Sequence, residues 1–263
     1  MSRVTPFHLV DGSPWPLFGA LAGLSMVSWL LGLFHGSGGG FMLLLGAISF
    51  MVLLCYVWWR DVVREASLLG FHTPGVQVNL LYGMVWFIVS EVCFFFGFFW
   101  TFYYASLNPV VEIGMVWPPV GIVPLDPVGV PLLNTVVLLG SGFTVTWSHY
   151  SLLLGEKSGA KVGLIYTLGL GIFFTLLQIL EYGDSSFSLA DSVYGSIFFM
   201  ATGFHGFHVL VGSVFLGVSL VRMWVGHLGA SRHVGYECAI WYWHFVDVVW
   251  LFLYVSVYWW GSV

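Results

Sequence analysis

The sequence predicts an all-α, polytopic membrane protein with seven transmembrane helices, and three observations support this fold class. Hydrophobic residues make up 59% of the 263 residues and charged residues only 7%, whereas soluble domains carry about 25% charged residues. Seven apolar stretches reach the ~18 residues that indicate a membrane-spanning helix. The Lys and Arg residues also fall on one side of a seven-helix topology, as described below.

The seven stretches are separated by segments that do not favour helix continuation. The stretches are Trp15 to Phe34, Phe41 to Trp59, Val78 to Ala105, Leu132 to Leu154, Val162 to Leu180, Ser192 to Trp224, and Tyr236 to Trp260. A glycine-rich turn at residues 35–40 follows the first, and Pro74 precedes the third. The longest connection, residues 106–131, is rich in proline, which cannot donate to a helix ladder, so we expect it outside the bilayer or against protein. Cys55, Cys93 and Cys238 lie far apart in apolar stretches, which predicts buried thiols.

The positions of the basic residues support seven crossings independently. With seven crossings, the N-terminus and the loops after helices two, four and six share one side of the membrane. That side holds every base of the chain: Arg3, Arg60, Arg64, Lys157, Lys161, Arg222 and Arg232. The opposite side holds four acidic residues, Glu112, Asp126, Asp184 and Asp191, and no Lys or Arg. The positive-inside rule therefore places the N-terminus on the cytoplasmic or matrix side, and no basic run indicates a nucleic-acid partner.

Glu91 is a carboxyl group in the middle of the third apolar stretch. A charged carboxylate at the bilayer centre costs roughly 2.5–3.5 kcal/mol on insertion scales. We therefore expect Glu91 to be protonated unless a cation or a strong donor lies close. Two interpretations stay open: a proton-handling or lipid-facing carboxyl, and a protonated glutamic acid bonded to a neighbouring helix.

Several histidines and acids also lie in apolar helices: His149, His205, His208, Glu237, His244 and Asp247. His205 and His208 share one face of helix six, and His244 and Asp247 share one face of helix seven. Such spacing occurs in helical metal sites, but three or four convergent ligands are normally needed, so we predict interhelical hydrogen bonds and no metal. The sequence contains no P-loop and no HExxH motif, and no catalytic residue is predicted.

Aromatic and charged residues cluster where we expect helix two to end. They are Trp58, Trp59, Arg60, Arg64, Glu65 and His72. Tryptophans beside bases at a membrane interface anchor helices and bind anionic head groups. This pattern is consistent with general anchoring of the helix at the interface and with a specific lipid-binding site, and it does not distinguish the two.

At these same residues the sequence closely resembles the mitochondrial cytochrome c oxidase subunit 3 family. The strings that carry the resemblance are SPWPL, WWRDVVRE, SEVCFFFGFFW, WPPVGI, VPLLNT, TLLQ, VYGSIFFMATGFHGFHVLVGS and YWHFVDVVWLFLYVSVYWWGS. They occur in order from about Phe7 to the last residue. The resemblance implies a two-helix part, residues 1–73, separated by a lipid-filled cleft from a five-helix bundle, residues 74–263.

The resemblance also implies a function in the mitochondrial inner membrane, with the N-terminus on the matrix side; a bacterial plasma membrane is the alternative location. The chain would be a non-catalytic core subunit of the oxidase that reduces oxygen to water with electrons from cytochrome c and pumps protons. It would stabilise the catalytic haem–copper subunit, support proton uptake and contact other oxidase subunits and respiratory supercomplexes. Haem a and copper would belong to the partner subunits, with no redox centre in this chain.

The resemblance further implies bound phospholipids, such as cardiolipin, phosphatidylglycerol or phosphatidylethanolamine. The matching positions are Trp59, Arg64, Glu65, His72, Trp100 and Arg222, and Glu91 matches the family's buried carboxyl. The chain departs from the family where histidine pairs are common, with Phe71 before His72, a single histidine at His233, and only His8 near the N-terminus. Two other functions stay open from the residues alone: an ion or proton transporter using the intramembrane Glu, His and Asp residues, and an intramembrane metalloenzyme.

Overall fold

A computed structural model describes residues 7–262, and Arg3 of the basic side lies outside the described residues. The described residues form seven long helices and no named strand, which confirms the all-α fold. The helices are α1 (Trp15–Phe34), α2 (Gly40–Ser67), α3 (Pro74–Leu107), α4 (Val130–Leu153), α5 (Lys157–Asp184), α6 (Ser192–Trp224) and α7 (Val234–Leu253). All seven are long and apolar enough to cross a membrane.

Most helices run beyond the apolar stretches that predicted them. α2 continues past Trp59 to Ser67, and α5 begins at Lys157 and ends at Asp184. Hydropathy falls where a helix leaves the hydrocarbon, but its backbone hydrogen bonds are internal and continue into the interface. α7 is followed by a π-helical segment, Tyr254–Trp259, and a 3-10 turn.

The connections follow the turn residues of the sequence. Gly36 and Gly39 have φ angles of 70° and 83°, a left-handed conformation that glycine adopts without steric cost. The proline-rich connection between α3 and α4 holds one short 3-10 turn, Val111–Ile113, and no other helix or strand. The predicted interruption of helical structure at this place is confirmed.

The chain divides into two compact units. The described residues up to Leu80 form unit 1, and those from Leu81 onward form unit 2. The division therefore lies inside α3, seven residues after the boundary predicted at residues 73 and 74. The first turn of α3 is tied to the preceding loop, because Gln77 Nε2 donates to the His72 carbonyl at 2.9 Å and Val76 is buried.

Unit 2 has a core of large side chains, among which Trp243 and Trp250 are fully buried. Glycine makes room for Trp243: a Cβ at Gly171 would lie 2.7 Å from its ring, and a Cβ at Gly212 would lie 2.9 Å from it. The Trp243 indole N–H donates to the Ser141 hydroxyl at 2.8 Å, so its polar atom is satisfied.

The expectation of three buried thiols is wrong. Cys238 is buried, Cys55 is half-buried, and Cys93 is exposed. An apolar sequence around a cysteine does not predict its burial here, because a membrane-spanning helix is apolar on its lipid-facing side as well.

Candidate functional site

Glu91 on α3 and His208 on α6 face each other inside unit 2. His208 Nε2 lies 2.9 Å from Glu91 Oε2, and His208 Nδ1 lies 2.6 Å from the Phe204 carbonyl oxygen. A carbonyl oxygen only accepts hydrogen bonds, so Nδ1 must carry a hydrogen. A second proton must then lie between Nε2 and the carboxyl, since two lone pairs at this distance would repel each other.

This second proton can reside on either group. On the carboxyl it gives a neutral acid and a neutral imidazole; on the ring it gives a carboxylate and an imidazolium. Both states contain the same number of protons and have zero net charge, which suits an apolar environment. The geometry therefore requires one proton between Glu91 and His208.

The surroundings of the pair are aromatic. The rings with centroids within 6.3 Å of the His208 ring are Phe94, Phe95, Phe207, Tyr242 and Phe245. The His208 side chain is only 7% exposed, whereas Glu91 is 22% exposed. Within the chain, the Glu91 carboxyl is therefore the more accessible member of the pair.

His205, one turn before His208, makes a separate contact. Its Nε2 lies 3.2 Å from the Val246 carbonyl on α7, so this nitrogen carries the hydrogen. Nδ1 is buried without a partner. The ring packs against Phe174 and Trp250. His205 thus links α6 to α7 and does not converge with His208.

The pair predicted on helix seven is looser. His244 Nδ1 lies 3.5 Å from Asp247 Oδ2 on the same helix. His244 Nε2 lies 3.3 Å from the Thr146 hydroxyl on α4. Asp247 is buried, and its other oxygen has no hydrogen-bond partner.

His149 on α4 contacts a residue that the sequence did not place beside it. Its Nε2 lies 3.3 Å from Nε2 of His233, just before α7. His233 Nδ1 lies 3.0 Å from the Gly229 carbonyl and so carries a hydrogen. Glu237 lies one turn after His233 and is half-buried. Within residues 7–262, no cluster of three or more His, Cys, Asp or Glu side chains is placed to hold a metal ion.

A buried carboxyl escaped the sequence prediction. Glu181 is 3% exposed and accepts hydrogen bonds from the Tyr258 hydroxyl at 2.6 Å and from Gln178 Nε2 at 3.2 Å. Gln178 in turn lies 3.5 Å from Asn134 Nδ2 on α4. The predicted fifth stretch ends at Leu180, so Glu181 lies one residue outside it. The spacing of Gln178 and Glu181 on one helix face was the available signal.

Four of the residues matched to lipid positions lie in unit 1, in the last three turns of α2 or just after it. Glu65 Oε2 lies 2.8 Å from His8 Nε2, and the rings of His8 and His72 meet edge to face at 5.1 Å. Arg64 and Trp59 are exposed. A cavity of about 390 Å³ in this region is lined by tryptophans and by acidic and basic side chains. They include His8, Trp15, Trp58, Asp61, Arg64 and Glu65.

The other two lipid positions lie in unit 2. Trp100 is 64% exposed and lines an apolar groove of about 1200 Å³ that runs along α3 and α7. Arg222 lies in the last turn of α6, and a Cβ on Gly235 would come within 3.0 Å of its Nη1. The glycine therefore leaves room for the guanidinium at the start of α7.

Comparison with known proteins gives the same family over the whole chain. The family model described as cytochrome c oxidase subunit III matches residues 5–262. A protein named cytochrome c oxidase subunit 3 from Pisaster ochraceus is 55% identical over 262 residues, covering 100% of both chains. Proteins of the same name from Dugong dugon and Pelomedusa subrufa are 57% and 54% identical, with 97% and 99% of each chain covered.

Proposed function

The chain belongs to the cytochrome c oxidase subunit III family, and we propose that it acts as a non-catalytic core subunit of that oxidase. It is a multi-pass membrane protein, and membership of the family makes it part of an oxidase complex. The complex would reduce oxygen to water with electrons from cytochrome c and pump protons. The observation that carries the proposal is the match over the full length of the chain.

The chain would stabilise the catalytic haem–copper subunit without holding a redox centre itself. The purified chain is expected to bind no haem, copper or iron, whereas the native chain is expected to copurify with a haem a-containing subunit. Metal analysis and an optical spectrum of both preparations test this. Stoichiometric metal in the isolated chain would overturn the proposal and favour an intramembrane metalloenzyme.

The Glu91–His208 pair supports a further part of the proposal, which is support of proton uptake. The pair is neutral while it holds the shared proton, so release of this proton leaves a single negative charge that uptake of another proton removes. Carbodiimides react with protonated carboxyls, and Glu91 is the more exposed partner. An apolar carbodiimide is therefore expected to label Glu91 and to fail on Glu91→Gln.

The control for this labelling is Glu181, which is buried and accepts two hydrogen bonds. It should remain unlabelled in the wild-type chain. Labelling that persists in Glu91→Gln would show that another carboxyl reacts and would refute the assignment. Proton pumping by oxidase that carries Glu91→Gln then measures whether the pair contributes to proton uptake.

The remaining parts of the proposal concern membrane and lipids. We place the chain in the mitochondrial inner membrane with its N-terminus on the matrix side, because the basic residues among residues 7–262 lie near the helix ends, or in the loops, that share this side in a seven-helix topology. Arg64 and Arg222, each in the last turn of a helix, would hold anionic phospholipid head groups. Protease accessibility of the N-terminus in intact and opened mitochondria tests the orientation.

A proton transporter is the second candidate, and the 2.9 Å contact between Glu91 and His208 is the observation that favours it. The isolated chain in sealed vesicles distinguishes the two. A transporter would carry protons across the vesicle membrane in the absence of other subunits, and Glu91→Gln would abolish this flux. The oxidase subunit is expected to show no flux above that of empty vesicles.

A further inference from the structure

A polar cluster at one end of unit 2 has no part in the proposed function. It consists of Asn134 on α4, Gln178 and Glu181 on α5, and Tyr258 in the π-helical segment, and none of the four is more than 5% exposed. Asn134 lies four residues after the start of α4, and Glu181 lies three residues before the end of α5. At 1.5 Å per residue, the cluster is therefore about 6 Å from the adjoining loops.

The hydrogen bonds of the cluster run towards one oxygen of Glu181. Asn134 Nδ2 donates to Gln178 Oε1 at 3.5 Å, and Gln178 Nε2 donates to Glu181 Oε1 at 3.2 Å and to the Tyr258 oxygen at 3.2 Å. The Tyr258 hydroxyl in turn donates to Glu181 Oε1 at 2.6 Å. Because Oε1 already accepts two hydrogen bonds, the hydrogen of a neutral Glu181 acid belongs on the other oxygen, Oε2.

Two buried oxygens of the cluster have no donor. Glu181 Oε2 and Asn134 Oδ1 make no hydrogen bond within residues 7–262, and the Gln178 amide contacts both side chains. Turning over the Asn134 amide would place its oxygen against Gln178 Oε1, where two acceptors repel each other. Buried oxygens of this kind are the usual binding sites of internal water, which donates two hydrogen bonds and needs two to four polar partners.

No basic side chain neutralises Glu181 at this end of unit 2. Residues 107–134, 180–192 and 254–263 supply the helix ends and loops around the cluster, and they contain no Lys, Arg or His. The titratable neighbours of Glu181 are the tyrosines Tyr182 and Tyr258. A buried carboxylate without a base is unfavourable, so the neutral acid, with its hydrogen on Oε2, is the favoured form.

We propose that this cluster binds internal water and that Glu181 exchanges a proton through that water with the loops at this end of unit 2. In the neutral state, Oε2–H donates to the water, and the water donates to Asn134 Oδ1. On release, the O–H bond at Oε2 breaks, a proton passes through the water to bulk solvent, and the water then donates to both oxygens. Tyr258 and Gln178 donate to Oε1 in both states, so no side chain has to move. A site buried to this degree admits water but excludes a bulky reagent such as a carbodiimide.

Infrared spectroscopy of the purified oxidase tests the proton. The difference between the wild-type spectrum and that of Glu181→Gln isolates the Glu181 carboxyl. We expect a carboxylic acid C=O band that shifts in heavy water, because the bound water exchanges the acid hydrogen. The absence of this band would mean that Glu181 is ionised, and a band that does not shift would mean that water does not reach it. Either result would overturn the inference.

Two tyrosine variants test the assignment of the band and replace Glu181→Gln if that variant does not assemble. Tyr258→Phe removes a hydrogen bond to the C=O oxygen and should move the band to higher frequency. Tyr254→Phe, in the same segment, removes a hydroxyl that donates to the Pro127 carbonyl at 3.3 Å and should leave the band unchanged. A band at the same position in both variants would contradict the inference.

Hydroxyl-radical labelling of the intact oxidase tests the water. Radicals that brief X-ray exposure forms from bound water oxidise the side chains beside it. Tyr258 is therefore expected to be oxidised although it is 1% exposed, whereas Tyr236, which is 0% exposed and donates to the Ser148 hydroxyl at 2.6 Å, should stay unmodified. Asn134→Leu removes one acceptor of the water and should lower Tyr258 oxidation to the level of Tyr236.

Equal oxidation of Tyr258 and Tyr236 in the wild-type chain would overturn the inference, as would unchanged oxidation of Tyr258 in Asn134→Leu. Oxidation of Tyr236 in Asn134→Leu would show that this variant has unfolded, and the comparison of the two tyrosines in the wild-type chain then decides.

Discussion

The two helical units differ in how much of each helix is buried. In unit 1, α1 buries only Ala22, and α2 buries only Gly40, Ala47 and Leu54. In unit 2, α6 has buried residues along its whole length. In a bilayer, lipid tails solvate apolar side chains as well as protein does, so helices associate through close packing and polar contacts. Unit 2 has both, whereas the helices of unit 1 depend more on their surroundings.

The polar contacts differ in the same way. In unit 1 they lie at helix ends, where His8 meets Glu65 and the Trp15 indole N–H donates to Asp61 at 2.9 Å. In unit 2 they lie within the helices, as in the Glu91–His208 pair. Contacts at the interface compete with water and head groups, but contacts in hydrocarbon have no such competitor. We therefore expect substitutions in unit 2 to affect stability more than matched substitutions in unit 1.

We expect the largest loss of stability from a substitution in the core of unit 2. Trp243→Ala removes a fully buried ring that packs against two glycines. Such truncations cost about 3–5 kcal/mol. Trp59→Ala in unit 1 removes a ring that is 65% exposed and should change the free energy of unfolding by less than about 0.5 kcal/mol. Unfolding in mixed lipid–detergent micelles measures both, and equal losses would refute the difference between the units.

We expect a smaller loss of stability from substitutions in the Glu91–His208 pair. His208→Phe leaves the Glu91 carboxyl without its partner, which costs about 1–3 kcal/mol. Glu91→Gln should cost less, because the amide N–H can still donate to His208 Nε2. The same unfolding measurement ranks the two variants. A larger loss for Glu91→Gln would mean that the charge of the carboxylate, and not the hydrogen bond, stabilises unit 2.

The seven helices could be predicted from sequence because a helix that spans a bilayer needs about 20 consecutive apolar residues, and such stretches are visible in the sequence itself. Glu91 could be singled out for the same reason, as a carboxyl in an apolar helix. Its partner could not be identified, because His208 is 117 residues away in sequence and only the packing of α3 on α6 brings the two together. The His149–His233 contact depends in the same way on how two helices pack.

Glu181 shows a different limit of sequence-based prediction. Hydropathy falls at residue 181, and this fall predicted the end of the helix. The helix continues to Asp184, and Tyr258 in the π-helical segment covers the carboxyl. A π-helical segment is set by local packing and is not apparent from residue periodicity. The sequence therefore located the apolar part of each helix better than the polar groups buried at its ends.

Lipid retention by the two units can be compared with one arginine from each unit. Arg64→Ala in unit 1 and Arg222→Ala in unit 2 should each weaken the retention of anionic phospholipid by about 1 kcal/mol per base, which is roughly a fivefold change. Native mass spectrometry of the purified oxidase counts the retained lipids. Unchanged lipid content would mean that these arginines are general interfacial anchors in both units.

We expect the smallest change in stability from a substitution in a contact of unit 2 that lies outside its membrane-spanning segments. The Ser188 backbone N–H donates to the Asp191 carboxylate at 2.7 Å, which holds the pKa of this carboxyl below its ordinary value. A lowered pKa contributes stability above the ordinary aspartate pKa, and this contribution is lost as the pH falls through the lowered value. Asp191→Asn should therefore be slightly less stable than wild type at neutral pH, and the difference should vanish well below about pH 4. Unfolding of both chains from pH 7 down to pH 2 tests this, because the lowered pKa of Asp191 lies below the ordinary aspartate value of about 3.9. A difference that persists in acid would mean that the hydrogen bond, and not the charge, stabilises the loop before α6.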